Sequence, residues 1–232
     1  MKKRIAILGA TSHIAKGIIF HLSDKDIYDL TLYARDTSKV ADFVSSIGHH
    51  HTIYNIAAFG KERHDVVINC IGVGDPAKLE AMGSTIFTIT EQFDNMVVQY
   101  LLENPKCLYV NFSSGAAYGY DFTRPVNETA MAQYSLNNIG QTSYYGLSKL
   151  YSEAKHRSLR HLNIVDLRVF GYYSRFIDLT AKFLLSEIIM CLKNGTKLIT
   201  GEGDITRDYV SPEDLSNLVI NCLESQHIND VF

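Results

Sequence analysis

Tyr145 and Lys149 stand four residues apart in Tyr-Gly-Leu-Ser-Lys. On a helix this spacing puts a phenol and an ammonium on one face. The ammonium stabilises the phenolate, so the phenol can exchange a proton with a substrate hydroxyl or carbonyl. A nicotinamide would take or give the hydride in such a reaction. An isolated Tyr-x-x-x-Lys is common by chance and reads equally well as an exposed helical pair. This one is accompanied by Asn111-Phe112-Ser113-Ser114-Gly115-Ala116-Ala117-Tyr118-Gly119, which closes an apolar run of strand length. A serine hydroxyl at a strand's carboxyl end can hold a substrate oxygen beside the tyrosine. Ser113 and Ser114 are both candidates, and both also read as turn formers.

Those groups need a scaffold that converges on one edge. Strand-length apolar runs occur at Lys3–Leu8, Leu30–Ala34, His51–Ile56, Asp65–Ile71, Cys107–Phe112 and Ile164–Phe170. Helical spacing fills the gaps at His13–Leu22, Thr37–Ile47, Lys78–Glu103 with a break near Gly83, and Tyr144–His161. Continuous β-branched runs alternating with helices predict an α/β fold, a doubly wound parallel sheet covered on both faces. The expected division is a nucleotide-binding Rossmann-like domain over 1–170 and a short, interleaved substrate-binding region over 171–232. Asp230-Val231-Phe232 looks like the start of a further strand, so a truncated or short member of the class is expected.

Between the first strand and first helix lies Gly9-Ala10-Thr11-Ser12-His13-Ile14-Ala15. A dinucleotide loop needs small residues here, so that the backbone turns sharply and the helix amides reach the pyrophosphate. Gly9 is the one usual glycine present, and Ser12 and Ala15 take the other two places. Thr11, Ser12, His13 and Ile14 are the expected loop contacts. A capped strand–turn–helix reads equally well from these residues alone. At the end of the second strand, Arg35 suits the 2′-phosphate of NADP and Asp36 the ribose hydroxyls of NAD. With Arg35 first, NADP is favoured and NAD is the alternative; a solvated loop pair is the bland reading.

Together these pieces resemble the extended short-chain dehydrogenase/reductase family, the NAD-dependent epimerase/dehydratase group, over essentially the whole chain. The matching segments are the Gly9 loop, Asp65-Val66-Val67-Ile68-Asn69-Cys70-Ile71-Gly72, Ser113 to Gly119, Tyr145 with Lys149, Leu167-Arg168-Val169-Phe170, and Thr206-Arg207-Asp208-Tyr209-Val210-Ser211-Pro212-Glu213-Asp214. The resemblance implies that Ser114 is the catalytic Ser/Thr, Tyr145 the general acid/base, and Lys149 the residue that binds the nicotinamide ribose and tunes the tyrosine. It puts Ile71 and Gly72 at the cofactor. It implies that Arg207 binds the diphosphate of a nucleotide sugar, a task suited to a planar guanidinium; an ion pair with Asp208 or Glu213 is the other reading. Relatives that perform 4,6-dehydration carry Asp-Glu after the Ser/Thr, whereas this chain has Gly115-Ala116, which argues against a dehydratase. Relatives also continue well beyond the stretch matching Asp230–Phe232, so the substrate pocket is expected to be incomplete or completed by a partner chain. Pairing through the tyrosine-bearing helix and the long helix before it makes a homodimer one option.

Composition narrows the field. The chain has 232 residues, 46% of them apolar, and a net charge of -3. Nucleic acid and anionic membrane partners find no basic run to bind, and no segment approaches the ~20 apolar residues of a membrane span. Cys70, Cys107, Cys191 and Cys222 are widely spaced, as expected of free thiols in a reducing cytoplasm. His49-His50-His51 would alternate faces on a strand, so no metal is expected there. Tyr172 and Tyr173 read as sugar-stacking or half-buried aromatics, and Phe176–Leu192 as an amphipathic segment suited to the core or to a dimer face. Reduction of a nucleotide-linked keto-sugar with NADPH is the leading expectation. An epimerase with retained NAD and a non-catalytic nucleotide-sensing protein are the alternatives.

Overall fold

The computed structural model describes residues 1–119, 125–127, 129–201, 203, 206–225 and 227–232. Seven strands form one sheet: β1 (Lys3–Leu8), β2 (Tyr28–Ala34), β3 (Thr52–Asn55), β4 (Val66–Asn69), β5 (Leu108–Ser114), β6 (Asn163–Val169) and β7 (Asn229–Val231). Their order is β3-β2-β1-β4-β5-β6-β7, every pair parallel. Parallel neighbours need long crossovers, and most are helical: α1 (His13–Ser23) and α2 (Thr37–Ser46) follow β1 and β2, α3 (Pro76–Met82) and α4 (Thr85–Glu103) lie between β4 and β5, α5 (Tyr144–Ser158) between β5 and β6, and α6 (Leu184–Asn194) and α7 (Pro212–Glu224) before β7, whereas β3 returns to β4 through the short turn Ile56–Ala58. The doubly wound α/β fold expected from the sequence is observed.

The period-2 alternation of β1 explains how both faces are covered. Ile5 and Ile7 join a core beneath α1, α2 and α7, which includes Leu30, Leu32, Ile68, Val110 and Val165. Ala6 and Leu8 face the opposite core, with Tyr33, Tyr109, Val97 and Leu101. The break expected near Gly83 is real: Gly83 has φ of 52° and separates α3 from α4. Asp75 caps α3 by accepting from the amides of Ala77 and Lys78 at 2.9 and 3.3 Å.

Some element limits depart from what the sequence pattern suggests. Within the amphipathic segment Phe176–Leu192, the helix begins only at Leu184. Ahead of it, the Asp178 carboxylate accepts from the amide and hydroxyl of Thr180 at 2.9 and 2.6 Å, a local turn that competes with helix. α5 stops at Ser158 rather than running to His161, and β4 stops at Asn69 rather than Ile71. The last residues do form a strand: β7 pairs with Ile164–Asp166. Residues 171–232 thus return α7 and β7 to the same sheet, interleaved with the first 170 residues. All four cysteines are free. Among the described residues, no helix is long and apolar enough to cross a membrane.

Candidate active site

β1, β4 and β5 are neighbours, so their carboxyl ends bring three sequence-distant segments together. At the end of β1, Gly9 has φ of 71° and passes so near β4 that a Cβ would lie 3.0 Å from the carbonyl carbon and oxygen of Cys70. Only glycine fits that turn without strain. Ser12 then caps α1, its hydroxyl accepting from Ala15 N at 3.3 Å. The amides of His13 and Ile14 occupy the first turn, where a helix has no internal acceptors for them. Thr11 is exposed on the rim. This glycine turn and these open amides fit the pyrophosphate of a dinucleotide.

The His13 side chain is engaged elsewhere. Its Nε2 lies 2.7 Å from Ser174 Oγ, and its ring meets Tyr172 edge-on at 4.8 Å. Burial and the Lys16 charge pull its pKa down to about 4, so the imidazole is neutral near neutral pH. The segment after β6 therefore lies against the loop helix. Gly17 permits this, because a Cβ on it would run into the Tyr172 hydroxyl.

Ile71 and Gly72 follow β4, and the Ile71 amide donates to Asn69 Oδ1 at 3.0 Å. A Cβ on Gly72 would stand 3.8 Å from Lys149 Nζ, so the bare turn faces the lysine. Lys149 is buried, and its ammonium donates to the Phe112 carbonyl at 2.8 Å. That bond fixes α5 against the end of β5. Lys149 Nζ lies 5.9 Å from the centre of the Tyr145 ring. Ser114, the last residue of β5, accepts from Ala116 N at 3.2 Å, and among the described residues no acceptor takes its own hydroxyl proton. Ser113 points away into a buried contact, donating to Glu153 at 2.5 Å.

Gly146 sets the closeness of α5 to this turn. A Cβ on it would collide with the Ala116 carbonyl and the Tyr134 hydroxyl. Gly146→Ala is therefore expected to cost ~1–3 kcal/mol of stability through overpacking and to push Tyr145 away from Ser114. Urea melts paired with a cofactor titration measure both effects.

At the end of β2, Arg35 is exposed and, among the described residues, has no ion-pair partner. Asp36 is committed to capping α2: it accepts from Lys39 N at 3.2 Å and Ser38 Oγ at 2.7 Å, and pairs with Lys39 Nζ at 3.3 Å. Those hydrogen bonds hold its carboxyl below the usual range. Arg207 lies in an exposed stretch just before the Tyr172–Val210 bridge, which ties that stretch to the segment after β6. No described contact joins Arg207 to Tyr145 or Ser114, nor to Asp208 or Glu213.

Sequence reasoning missed two buried networks behind this edge. Glu153 accepts from Ser113 and from Arg168 Nε and Nη2 at 3.0 and 2.5 Å, and the Arg168 guanidinium stacks 4.2 Å over the Tyr118 ring. Deeper, His156 bridges Asp166 and Asp94 at 2.9 and 2.8 Å. The available signal was helical spacing: Tyr145, Lys149 and Glu153 share one face of α5. The three-histidine run makes local contacts, His49 to Asp24 at 3.1 Å and His51 to Ser23 at 2.7 Å.

A cavity of about 430 Å³ opens between α3 and the start of α5, with Tyr145 in its wall.

The model of the NAD dependent epimerase/dehydratase family matches residues 5–231. Among solved structures, UDP-N-acetylglucosamine 4-epimerase from Methanobrevibacter ruminantium M1, in complex with UDP-N-acetylmuramic acid, is similar with a TM-score of 0.84 and 20% identity, over 100% of this chain and 76% of that one. UDP-glucose 4-epimerase from Thermotoga maritima, with UDP-glucose, is similar at 0.82 and 17%, over 99% and 75%. dTDP-glucose 4,6-dehydratase from Bacillus anthracis str. Ames, in complex with NAD, is similar at 0.77 and 16%, over 99% and 74%. At such identities the likeness is one of fold. No curated protein matches the chain.

Proposed function

The chain belongs to the NAD dependent epimerase/dehydratase family, and we propose that it is a nicotinamide-dependent enzyme acting on a nucleotide-activated sugar, with Ser114, Tyr145 and Lys149 as its catalytic set. The observation that carries this reading is Lys149, buried beneath Gly72 and bonded to the Phe112 carbonyl, one helical turn from Tyr145. When bound, the nicotinamide supplies or accepts the hydride. Gly9 and the amides of His13 and Ile14 would hold its pyrophosphate, and Gly72 and Lys149 its nicotinamide ribose. Ser114 donates to the substrate oxygen and positions it. The Tyr145 hydroxyl passes a proton to that oxygen during reduction, or takes it during oxidation. The Lys149 ammonium, 5.9 Å from the centre of the Tyr145 ring, is the proposed positive neighbour of the phenol during proton transfer. Arg207 is the proposed ligand of the substrate diphosphate.

Within this class we favour reduction of a keto-sugar with NADPH. Arg35 is exposed and unpaired among the described residues, and Asp36 is occupied by the α2 cap. Gly115-Ala116 after Ser114 argues against 4,6-dehydration. A second reading, epimerisation with retained NAD, draws support from the epimerases among the similar structures. Paired NADPH and NADH titrations, followed by nicotinamide fluorescence, separate the two. Arg35→Ala is expected to weaken NADPH binding about tenfold or more, in line with loss of a charge-assisted phosphate contact of ~1.5–3 kcal/mol, and to leave NADH unchanged. Tight co-purified NAD together with turnover that leaves nicotinamide absorbance constant would sink the reductase reading. Binding of neither dinucleotide would favour a non-catalytic role.

A further inference from the structure

We infer that Arg168 and Glu153 are positioning residues: their buried ion pair grips both flanks of Ser114 and sets the placement of its hydroxyl relative to Tyr145. This rests on the catalytic reading of Ser114 and Tyr145 and adds to it the residues that fix their geometry.

Three ties run from α5 to the end of β5. Lys149 Nζ donates to the Phe112 carbonyl at 2.8 Å, the Glu153 carboxylate accepts from Ser113 Oγ at 2.5 Å, and bare Gly146 lets the Ala116 carbonyl approach. Ser114 lies between the second tie and the third. Glu153 thus holds the residue before it. The residues after it form the turn Gly115–Tyr118, and Arg168 holds that side. Arg168 stands beside Ser113 in the sheet register. It donates from Nε and Nη2 to Glu153 at 3.0 and 2.5 Å, and its guanidinium lies 4.2 Å over the ring of Tyr118, the last residue of the turn.

The side chains of Arg168 and Glu153 are 8% and 4% exposed, so solvent does not screen the pair. A buried ion pair is weak evidence for stability, because desolvation offsets its attraction. What this pair fixes is geometry. One planar fork serves the Glu153 carboxylate and covers Tyr118 at once. Lysine keeps the charge but has no such fork. A reacting group misplaced by ~1 Å loses up to ~10²-fold in rate, and Ser114 is held on each side by one end of this pair.

The test is a double-mutant cycle between Arg168→Lys and Ser114→Ala. NADP- or NAD-loaded protein is mixed rapidly with UDP-glucose or UDP-N-acetylglucosamine, and formation of reduced nicotinamide is followed by absorbance. Calorimetry gives the affinity for UDP in parallel. Arg168→Lys is expected to slow hydride transfer by ~10–10²-fold with UDP affinity unchanged. It should slow it no further once Ser114 is replaced by alanine, because the placement of the hydroxyl then no longer matters. Ser113→Ala leaves the ion pair in place and frees one flank alone. It is expected to show the same coupling with a smaller loss, and it decides the matter if Arg168→Lys does not fold. Wild-type rates in the folded variants, or losses that multiply with that of Ser114→Ala, overturn the inference and leave the catalytic reading standing. A wild type that forms no reduced nicotinamide with either sugar, or an unchanged rate in Ser114→Ala, overturns both.

Discussion

Tyr145→Phe is expected to lower turnover by ~10²–10⁴-fold, the range of a lost general acid/base, with cofactor affinity changed little. The substitution removes one hydroxyl and keeps the ring. Lys149 would hold its place, because its ammonium is anchored by the Phe112 carbonyl and not by the phenol. Gly146 would still seat α5 against Ala116. Single-turnover kinetics on the wild type's substrate, beside a nicotinamide titration, distinguishes a chemical defect from a binding defect. Activity that persists at the wild-type level in the Phe variant rejects the proposed role of Tyr145. Loss of cofactor binding in the same variant would mean that the phenol serves as a ligand rather than as an acid.

Asp166→Ala is expected to destabilise the fold by ~3–5 kcal/mol, the cost of leaving a buried charge without its partner. Asp166 is fully buried on β6. It accepts from His156 Nδ1 at 2.9 Å, Arg157 Nη2 at 3.1 Å and Asn111 Nδ2 at 2.7 Å. On the other side of the imidazole, Asp94 accepts from His156 Nε2 at 2.8 Å and from the Tyr109 hydroxyl at 2.9 Å. Carboxylates only accept, so both ring nitrogens donate and His156 is an imidazolium. Burial disfavours that charge, but the hydrogen bonds and charges of Asp166 and Asp94 more than offset it and raise the pKa to about 9.

The sign of the pH dependence follows. A histidine whose pKa is higher in the folded state holds its proton there after the unfolded chain has released it. Its contribution is complete below the unfolded value of ~6.5 and disappears as pH rises through about 9. Urea midpoints should therefore fall between pH 6.5 and 9.5 in the wild type, and this part of the slope should be missing in His156→Gln. An unchanged slope in that variant would remove His156 as its source. The network joins α4, α5, β5 and β6, so the loss would loosen the elements that carry Ser114, Tyr145 and Lys149.

The fold was legible because buried parallel strands write themselves as continuous runs. Ile5 to Leu8 and Val66 to Asn69 are buried on both sides, and no other local structure uses such short apolar runs between helices. Gly83 was legible as a helix break because its positive φ is costly for other residues. The start of α6 was not, since a hydrophobic stripe continues through Phe176 while Asp178 diverts the backbone into a turn. Phe176 instead packs edge-on against Phe43, with ring centres 5.1 Å apart. Periodicity reports which faces are apolar, and it is silent on whether a side-chain hydrogen bond has claimed the main chain first.

By itself, the sequence determined the candidate chemistry: Tyr145 with Lys149 at helical spacing, a serine closing a strand, a small-residue loop opening a helix, and Arg35 beside Asp36. Each of these is local, set by residues within a few positions of one another. The tertiary structure decided what needs long-range proximity. It turned Ser113 into Glu153 and left Ser114 out of that contact, spent Asp36 on a helix cap, and laid Tyr172 and Ser174 against His13. The physical reason is that charge and hydrogen-bond partners are chosen by through-space distance after the sheet has closed. Glu153 and Arg168 are fifteen residues apart in the chain and meet at 2.5 Å only because β6 lies beside β5 under α5.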